Sequence, residues 1–469
     1  MKGKMKKRLA VLCAMVLTVS SLAGGNALTA KAESLGTIGL TQDDVNRLNG
    51  SSSVTRTSVH DPSIIKANDG SYYIFGSHMG GSKTTDLQNW TFVTTEDVNS
   101  TLFGDVNGNV VSYANAFSTN AMADSLVTII GADGQEAQVS LGSYDAAAWI
   151  GNNTVQGNMW APDIIYNPTM NKYCMYMSLN GADWNSSVVL LTADAITGPY
   201  VYQGPVVFSG FSTVDSSKSF KNTDLELVIG EQDELPAKYQ KIADRSWGEY
   251  WPHAIDPAVM YDDAGKLWLI YGSWSGGIYM LELDENTGLR DYTVTYASDF
   301  DTLGKSVTSD EYFGKKIAGG YYVSGEGPYI EKIGNYYYLF MSYGFYSPEG
   351  GYVMRIFRSE NPDGPYVDGN GTNAIFSQYL HNYNGVNNMG WASLAQTCLA
   401  ARLPAQEGAG CERLGVHMRY GRVQTREREY HGTRVINVCE KFVLDIPKEE
   451  IGNWKKLKLI DRIKFFFES

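Results

Sequence analysis

Three acidic residues stand at matching points of three recurring stretches. Asp61 lies in His60-Asp61-Pro62-Ser63-Ile64-Ile65, Asp256 in Ile255-Asp256-Pro257, and Glu326 in Glu326-Gly327-Pro328-Tyr329-Ile330. Each opens a run of aromatic and β-branched residues. Two carboxyl groups on opposite sides of a glycosidic bond, one ionised and one protonated, can hydrolyse that bond, and a third acid nearby holds their pKa values apart. An acid before proline is also common turn punctuation. For any one of these acids alone that reading is preferred, and three in register reverse the preference.

The elements that must position these acids are short strands. In the stretch Trp251–Leu283 the sequence predicts a strand at Pro257–Tyr261, a turn at Asp262-Asp263-Ala264-Gly265, a strand at Leu267–Gly272, a Gly-rich turn and a strand at Ile278–Leu283. Asp61 to Val93 follows the same grammar. Another unit opens at Trp160-Ala161-Pro162-Asp163, turns at Asn167–Lys172, continues through Tyr173–Ser178 and Ser187–Thr192, and closes at Thr197-Gly198-Pro199-Tyr200. A fourth runs from Glu326 to Asn361-Pro362-Asp363-Gly364-Pro365-Tyr366, repeating the Gly-Pro-Tyr ending. Residues 94–157 read as long loops and 208–250 as an insertion. Recurring four-strand units with similar openings and endings predict an all-β fold, a β-propeller, with the acids converging on its axis from different blades.

Composition narrows the setting. Lys2, Lys4, Lys6, Lys7 and Arg8 precede an apolar run from Leu9 to Leu22 and then Ala30-Lys31-Ala32, the order of a secretory signal peptide cleaved after Ala32. That run, which includes Cys13, is too short to span a bilayer comfortably, and no later stretch replaces it. A soluble, secreted, extracellular protein is expected, with no membrane partner after cleavage. Residues 33–469 carry 32 basic against 51 acidic groups, net −19. Such a chain repels phosphate backbones, which excludes a nucleic-acid partner; the plainest meaning of the charge is solubility. Cys174, Cys398, Cys411 and Cys439 show neither CxxC pairs nor zinc spacing.

The motifs VHDPSI, WAPDIIY, AIDP with YDDAGKLWLIYGSWSGGI, EGPYI with NYYYLFMSYG, and SENPDGPY, spread from about His60 to about Asp368, together resemble glycoside hydrolase family 43, most closely its secreted endo-1,5-α-L-arabinanases. The resemblance implies a five-bladed β-propeller, four blades of which are recognisable, and an inverting mechanism on arabinan, the side chains of plant pectin, without a cofactor for the chemistry. Carried over motif by motif, Asp61 matches the general base that activates water. Asp256 matches the acid that orients and tunes its partner, and Glu326 the general acid. Inversion would set the Asp61 and Glu326 carboxyls roughly 6.5–9.5 Å apart. A monomer is expected. The rivals are an exo-acting β-xylosidase or α-L-arabinofuranosidase of the same family, and an inactive carbohydrate-binding propeller.

Further residues are candidates for the substrate. His60 shapes the strand opening or touches sugar. Asp163, read as sitting at the matching position of the second unit, lines the site or caps a turn. Trp160 is placed beside a sugar, whereas Trp90, Trp184 and Trp274 are read as packing. Ser273, Ser342 and Tyr343 fall in Gly-rich loops from which hydroxyls could reach substrate.

After residue 391 the pattern breaks. Residues 33–391 carry 18 basic and 41 acidic groups, residues 392–469 carry 14 and 10, and the latter hold eight of fifteen arginines. The fifth opening expected of the family, a Gly-His-Asn-Ser stretch, is missing. Two readings of residues 392–469 compete: a shifted reading frame, or a divergent fifth blade with ordered structure at Val435–Leu444 and Leu457–Phe467. Either weakens the axial calcium-type ion implied by the family, since His381, His417 and His431 all lack the matching context.

Overall fold

In the computed structural model the described residues are 57–375, with breaks at 58, 60, 86–88, 95–100, 132, 143, 152–157, 182–183, 241–251, 300–307, 320–324, 344–352 and 369–370, together with 396–402 and 413–419. They form an all-β propeller. Blade one is β1 (Ser63–Lys66), β2 (Tyr72–Phe75), β3 (Gly81–Thr84) and β4 (Thr91–Thr94), paired antiparallel in that order. After β5 (Phe103–Gly104) and a separate hairpin of β6 (Leu126–Ile130) and β7 (Glu136–Ser140) comes blade two. It comprises β8 (Met159–Asn167), β9 (Lys172–Asn180), β10 (Ser186–Ala193) and β11 (Tyr200–Ser209), with β5 added in parallel at its outer edge.

Blade three is β12 (Ala258–Tyr261), β13 (Leu267–Ser273) and β14 (Gly277–Leu283), extended outward by β16 (Gly314–Ala318) and β15 (Ser309–Asp310). Blade four has three strands, β17 (Glu326–Ile333), β18 (Tyr336–Tyr343) and β19 (Val353–Ser359). The strands predicted for Trp251–Leu283 lie within a residue of those observed. The first Gly-Pro-Tyr does not close its unit; it leads into β11, the outermost of the four strands, so blade two extends to Ser209. The stretch read as loops, 94–157, contains β5, the β6–β7 hairpin and a short helix, Ala146–Ile150, whose first turn is capped by Asp145 accepting from the Ala148 N–H at 2.8 Å.

Aromatic and aliphatic side chains on both faces of each sheet pack blade against blade, which removes their apolar area from water. One cluster joins blades one, two and three through Ile65, Phe75, Ile164, Met175, Leu190 and Leu269. A second joins blade three to blade four through Met260, Ile270, Met280, Ile330, Leu339 and Met341. Part of the predicted insertion belongs to the first cluster: Phe211, Phe220, Leu225 and Tyr239 are buried there. It is fastened by Asp224, which accepts hydrogen bonds from the hydroxyls of Tyr292 (2.9 Å) and Tyr312 (2.5 Å). Burial pushes the Asp224 carboxyl above the usual carboxylate range, against the opposing pull of Arg290.

The tail contributes a hairpin of β20 (Gln396–Arg402) and β21 (Arg413–Arg419). β20 pairs in parallel with β1, Ile64 opposite Ala401 and Ile65 opposite Arg402, and the hairpin also lies against β17. It therefore stands between blade four and blade one. Val435–Leu444 and Leu457–Phe467 lie outside the described residues.

Candidate active site

In each of the four blades a residue followed by proline stands just before the first strand or within its first three residues, and that residue has a left-handed backbone. The φ angles are 46° at Asp61, 45° at Ala161, 52° at Asp256 and 58° at Gly327. Left-handed geometry costs a residue with a side chain roughly 1–2 kcal/mol, less for Asp, and is most easily met by Gly. The same left-handed backbone before proline in four blades, strained at Asp61, Ala161 and Asp256 and free of cost at Gly327, marks one repeated setting. It also corrects the register read from sequence. The equivalent positions are Asp61, Ala161, Asp256 and Gly327, so Glu326 sits one residue earlier than the other two acids, on the first residue of β17. All three carboxylates are half-buried.

Two hydrogen-bond relays hold these acids. Ser77 donates through Oγ to Asp61 Oδ2 at 2.7 Å, and the same Oγ accepts from the Ala161 N–H at 2.9 Å. With its lone pair directed at blade two, the Ser77 proton is aimed at Asp61. Blade three is tied to blade four by the Gly327 N–H, which donates to Asp256 Oδ2 at 3.1 Å, so Asp256 grips the backbone immediately after Glu326. Behind Asp256 the Gly272 N–H donates to the Ile255 carbonyl at 2.9 Å. A Cβ on Gly272 would lie 2.3 Å from the Gly277 carbonyl oxygen, so only glycine fits this crossing.

Ser77 was not among the residues singled out from sequence. The signal was present: Phe75-Gly76-Ser77-His78-Met79-Gly80 parallels Tyr271-Gly272-Ser273-Trp274-Ser275-Gly276, which puts Ser77 in blade one where Ser273 stands in blade three. Ser273 and Tyr343 themselves are 2% and 5% exposed, so the expected reach of their hydroxyls to substrate is not what the fold provides. The Tyr343 ring lies under the Arg355 guanidinium at 4.5 Å, and burial raises its hydroxyl pKa.

Asp163 is corrected twice. Its position does not match Asp61 but Ser63, one residue past the proline, and it is only 3% exposed. Ser63 Oγ donates to its Oδ1 at 2.6 Å and the Val259 N–H to its Oδ2 at 2.7 Å, a tie running from blade one through blade two to blade three. A buried carboxylate needs such donors, and Asp163 is accordingly an inter-blade tie, not a substrate contact. Trp160, expected beside a sugar and immediately before Ala161, is 37% exposed. Trp184, read as packing, is 46% exposed. His60 lies outside the described residues.

Among the described residues no three His, Cys, Asp or Glu side chains come together as metal ligands. His381 and His431 are outside the described residues, and His417 falls on β21.

The family model for glycosyl hydrolases family 43 matches residues 135–400, more than half of the sequence. The chain belongs to this family. It is 31% identical over 316 residues to an extracellular endo-α-(1→5)-L-arabinanase of Thermotoga petrophila, covering 67% of this chain and 51% of that protein. The figures are the same for extracellular endo-α-(1→5)-L-arabinanase 2 of Bacillus subtilis, except that 50% of the relative is covered. This chain thus spans about half the length of both relatives. Among solved structures, the T. petrophila endo-1,5-α-L-arabinanase in complex with TRIS superposes with a TM-score of 0.50 at 25% identity, over 79% of this chain and 72% of that one. Family 43 membership agrees with the all-β propeller architecture.

Proposed function

We propose that this family 43 chain hydrolyses internal α-1,5-L-arabinofuranosyl linkages of arabinan, with inversion at the anomeric carbon. The observation that supports the reading is that Asp61 and Asp256 take the same left-handed position before proline in blades one and three, with Asp256 bonded to the backbone next to Glu326. Endo-arabinanase relatives at 31% identity supply the substrate class.

In this mechanism Asp61, oriented by Ser77, takes a proton from a water molecule, which attacks the anomeric carbon from the face opposite the leaving oxygen. Glu326 protonates that oxygen as the bond breaks. Two like charges at close quarters are costly, so the Asp256 carboxylate favours the protonated state of its neighbour before reaction. Asp61 ends protonated and Glu326 ionised, and exchange with solvent restores both. No redox cofactor enters. The reading extends to export, with residues 1–32 removed, and to a monomer acting outside the cell on the arabinan side chains of pectin, without nucleic-acid or membrane partners. Among the described residues no helix is long and apolar enough to cross a membrane.

The test is reducing-sugar release from linear, debranched arabinan by residues 33–469, with Glu326→Gln alongside. The variant is expected to lose about 10²–10⁴-fold in kcat, the usual contribution of a general acid. The product released first should be the β-anomer by proton NMR. An α-anomer would refute inversion, and undiminished turnover in the variant would remove Glu326 from the chemistry.

A further inference from the structure

The geometry points to Trp184 as a rigid platform on which the sugar chain stacks beyond the cleavage point, with His253 as the residue that positions it. This inference rests on the glycosidase reading above. Trp184 lies between β9 and β10 of blade two and is 46% exposed, although an indole of this size is normally drawn into the core. Its backbone is left-handed, with φ at 62°. Strain of this kind persists only where the surroundings over-determine it.

Those surroundings are on blade three. His253 Nε2 donates to the Trp184 carbonyl at 2.8 Å, and the two rings lie 5.5 Å apart at 41°. His253 is itself 5% exposed, and the next residue is pinned: the Ala254 N–H reaches Ser186 Oγ at 3.0 Å and Ser209 Oγ at 2.9 Å. Gly210 closes the other side, where a Cβ would meet the Trp184 carbonyl oxygen at 2.9 Å. One surface of the indole is therefore braced by a buried imidazole while much of the rest faces solvent.

The brace is joined by a short stretch of chain to one of the acids. Two residues separate His253 from Asp256, a reach of at most about 11 Å along the chain. A flat apolar ring with a polar edge, fixed in advance, suits the C–H face of a sugar and loses little entropy on binding. Trp184 thus holds a sugar unit remote from the bond being cut. It governs the affinity for long substrates and not the chemical step.

The deciding experiment compares wild type, Trp184→Ala and Trp184→Phe in two measurements. One is steady-state hydrolysis of linear arabinan. The other is calorimetric titration of the Glu326→Gln background with arabino-oligosaccharides and xylo-oligosaccharides of five or more units. Trp184→Ala is expected to raise KM and Kd at least fivefold with kcat unchanged, Trp184→Phe to restore most of the affinity, and His253→Gln to weaken binding in the same direction. If wild type binds arabino-oligosaccharide and Trp184→Ala binds it equally well, the platform is refuted and the arabinanase reading stands. Binding of xylo-oligosaccharide alone, weakened by Trp184→Ala, would overturn the arabinan assignment and keep the platform. No binding of either sugar would refute both.

Discussion

Ser77 is the residue whose role is easiest to isolate. Its hydroxyl touches Asp61 and the Ala161 amide, and in the proposed reaction it meets no substrate, so it acts by holding the base in place. Ser77→Ala should lower kcat on linear arabinan about tenfold while KM stays within about twofold, because misdirection of a catalytic group costs rate and not ground-state affinity. A thermal melt run in parallel separates this from a folding defect: a loss of rate accompanied by an equal fall in population of folded protein would contradict the assignment. The acids themselves were legible in the sequence because Asp-Pro and Glu-Gly-Pro recur before apolar runs. Their true register was not. A left-handed φ leaves no mark in composition when the residue bearing it is Asp in blades one and three, Ala in blade two and Gly in blade four, so the sequence aligns Glu326 by its charge and not by its backbone.

At the scale of elements, the inner strands are held at fixed spacing by side chains as well as by core packing. Asp163 receives a hydroxyl from blade one and an amide from blade three. Replacing it with Ala leaves both donors buried and without their acceptor, which should cost about 2–4 kcal/mol. Denaturant unfolding followed by circular dichroism measures this, and a loss below about 1 kcal/mol would show that the tie is dispensable. Reading Asp163 from sequence as a site residue was an error of a predictable kind. Acids near an axis and acids between blades have the same neighbours in sequence, and only the pairing partner across space tells them apart. Strand positions were far more legible, since aromatic and β-branched runs bounded by Asp-Gly and Gly-Gly turns force a meander. Where polar residues predominate, as in residues 94–157, the β6–β7 hairpin is hard to read because its contact with the core rests on Val127, Ile129 and Val139, too few apolar residues to impose a clear alternation.

For the whole molecule, stability is coupled to pH through the clamp that fastens residues 211–239 to the blades. Asp224 is buried, and burial holds its carboxyl above the usual range. An acid with a raised pKa in the folded state binds its proton more tightly there than when unfolded, so its contribution is fully present below the unfolded value of about 4 and declines as pH rises through the folded value. Asp224→Asn, which keeps an acceptor for the tyrosine hydroxyls, should therefore melt above wild type at neutral pH, with the gap in Tm narrowing towards pH 4. A gap that stayed constant or widened on acidification would contradict it.

The four left-handed residues before proline carry a consequence of another kind, for descent and for engineering. Blade two already displays a blank version of the mould, with Ala161 where its neighbours on either side bear Asp. Charge can be added to or removed from this ring by one codon change, without displacing a strand.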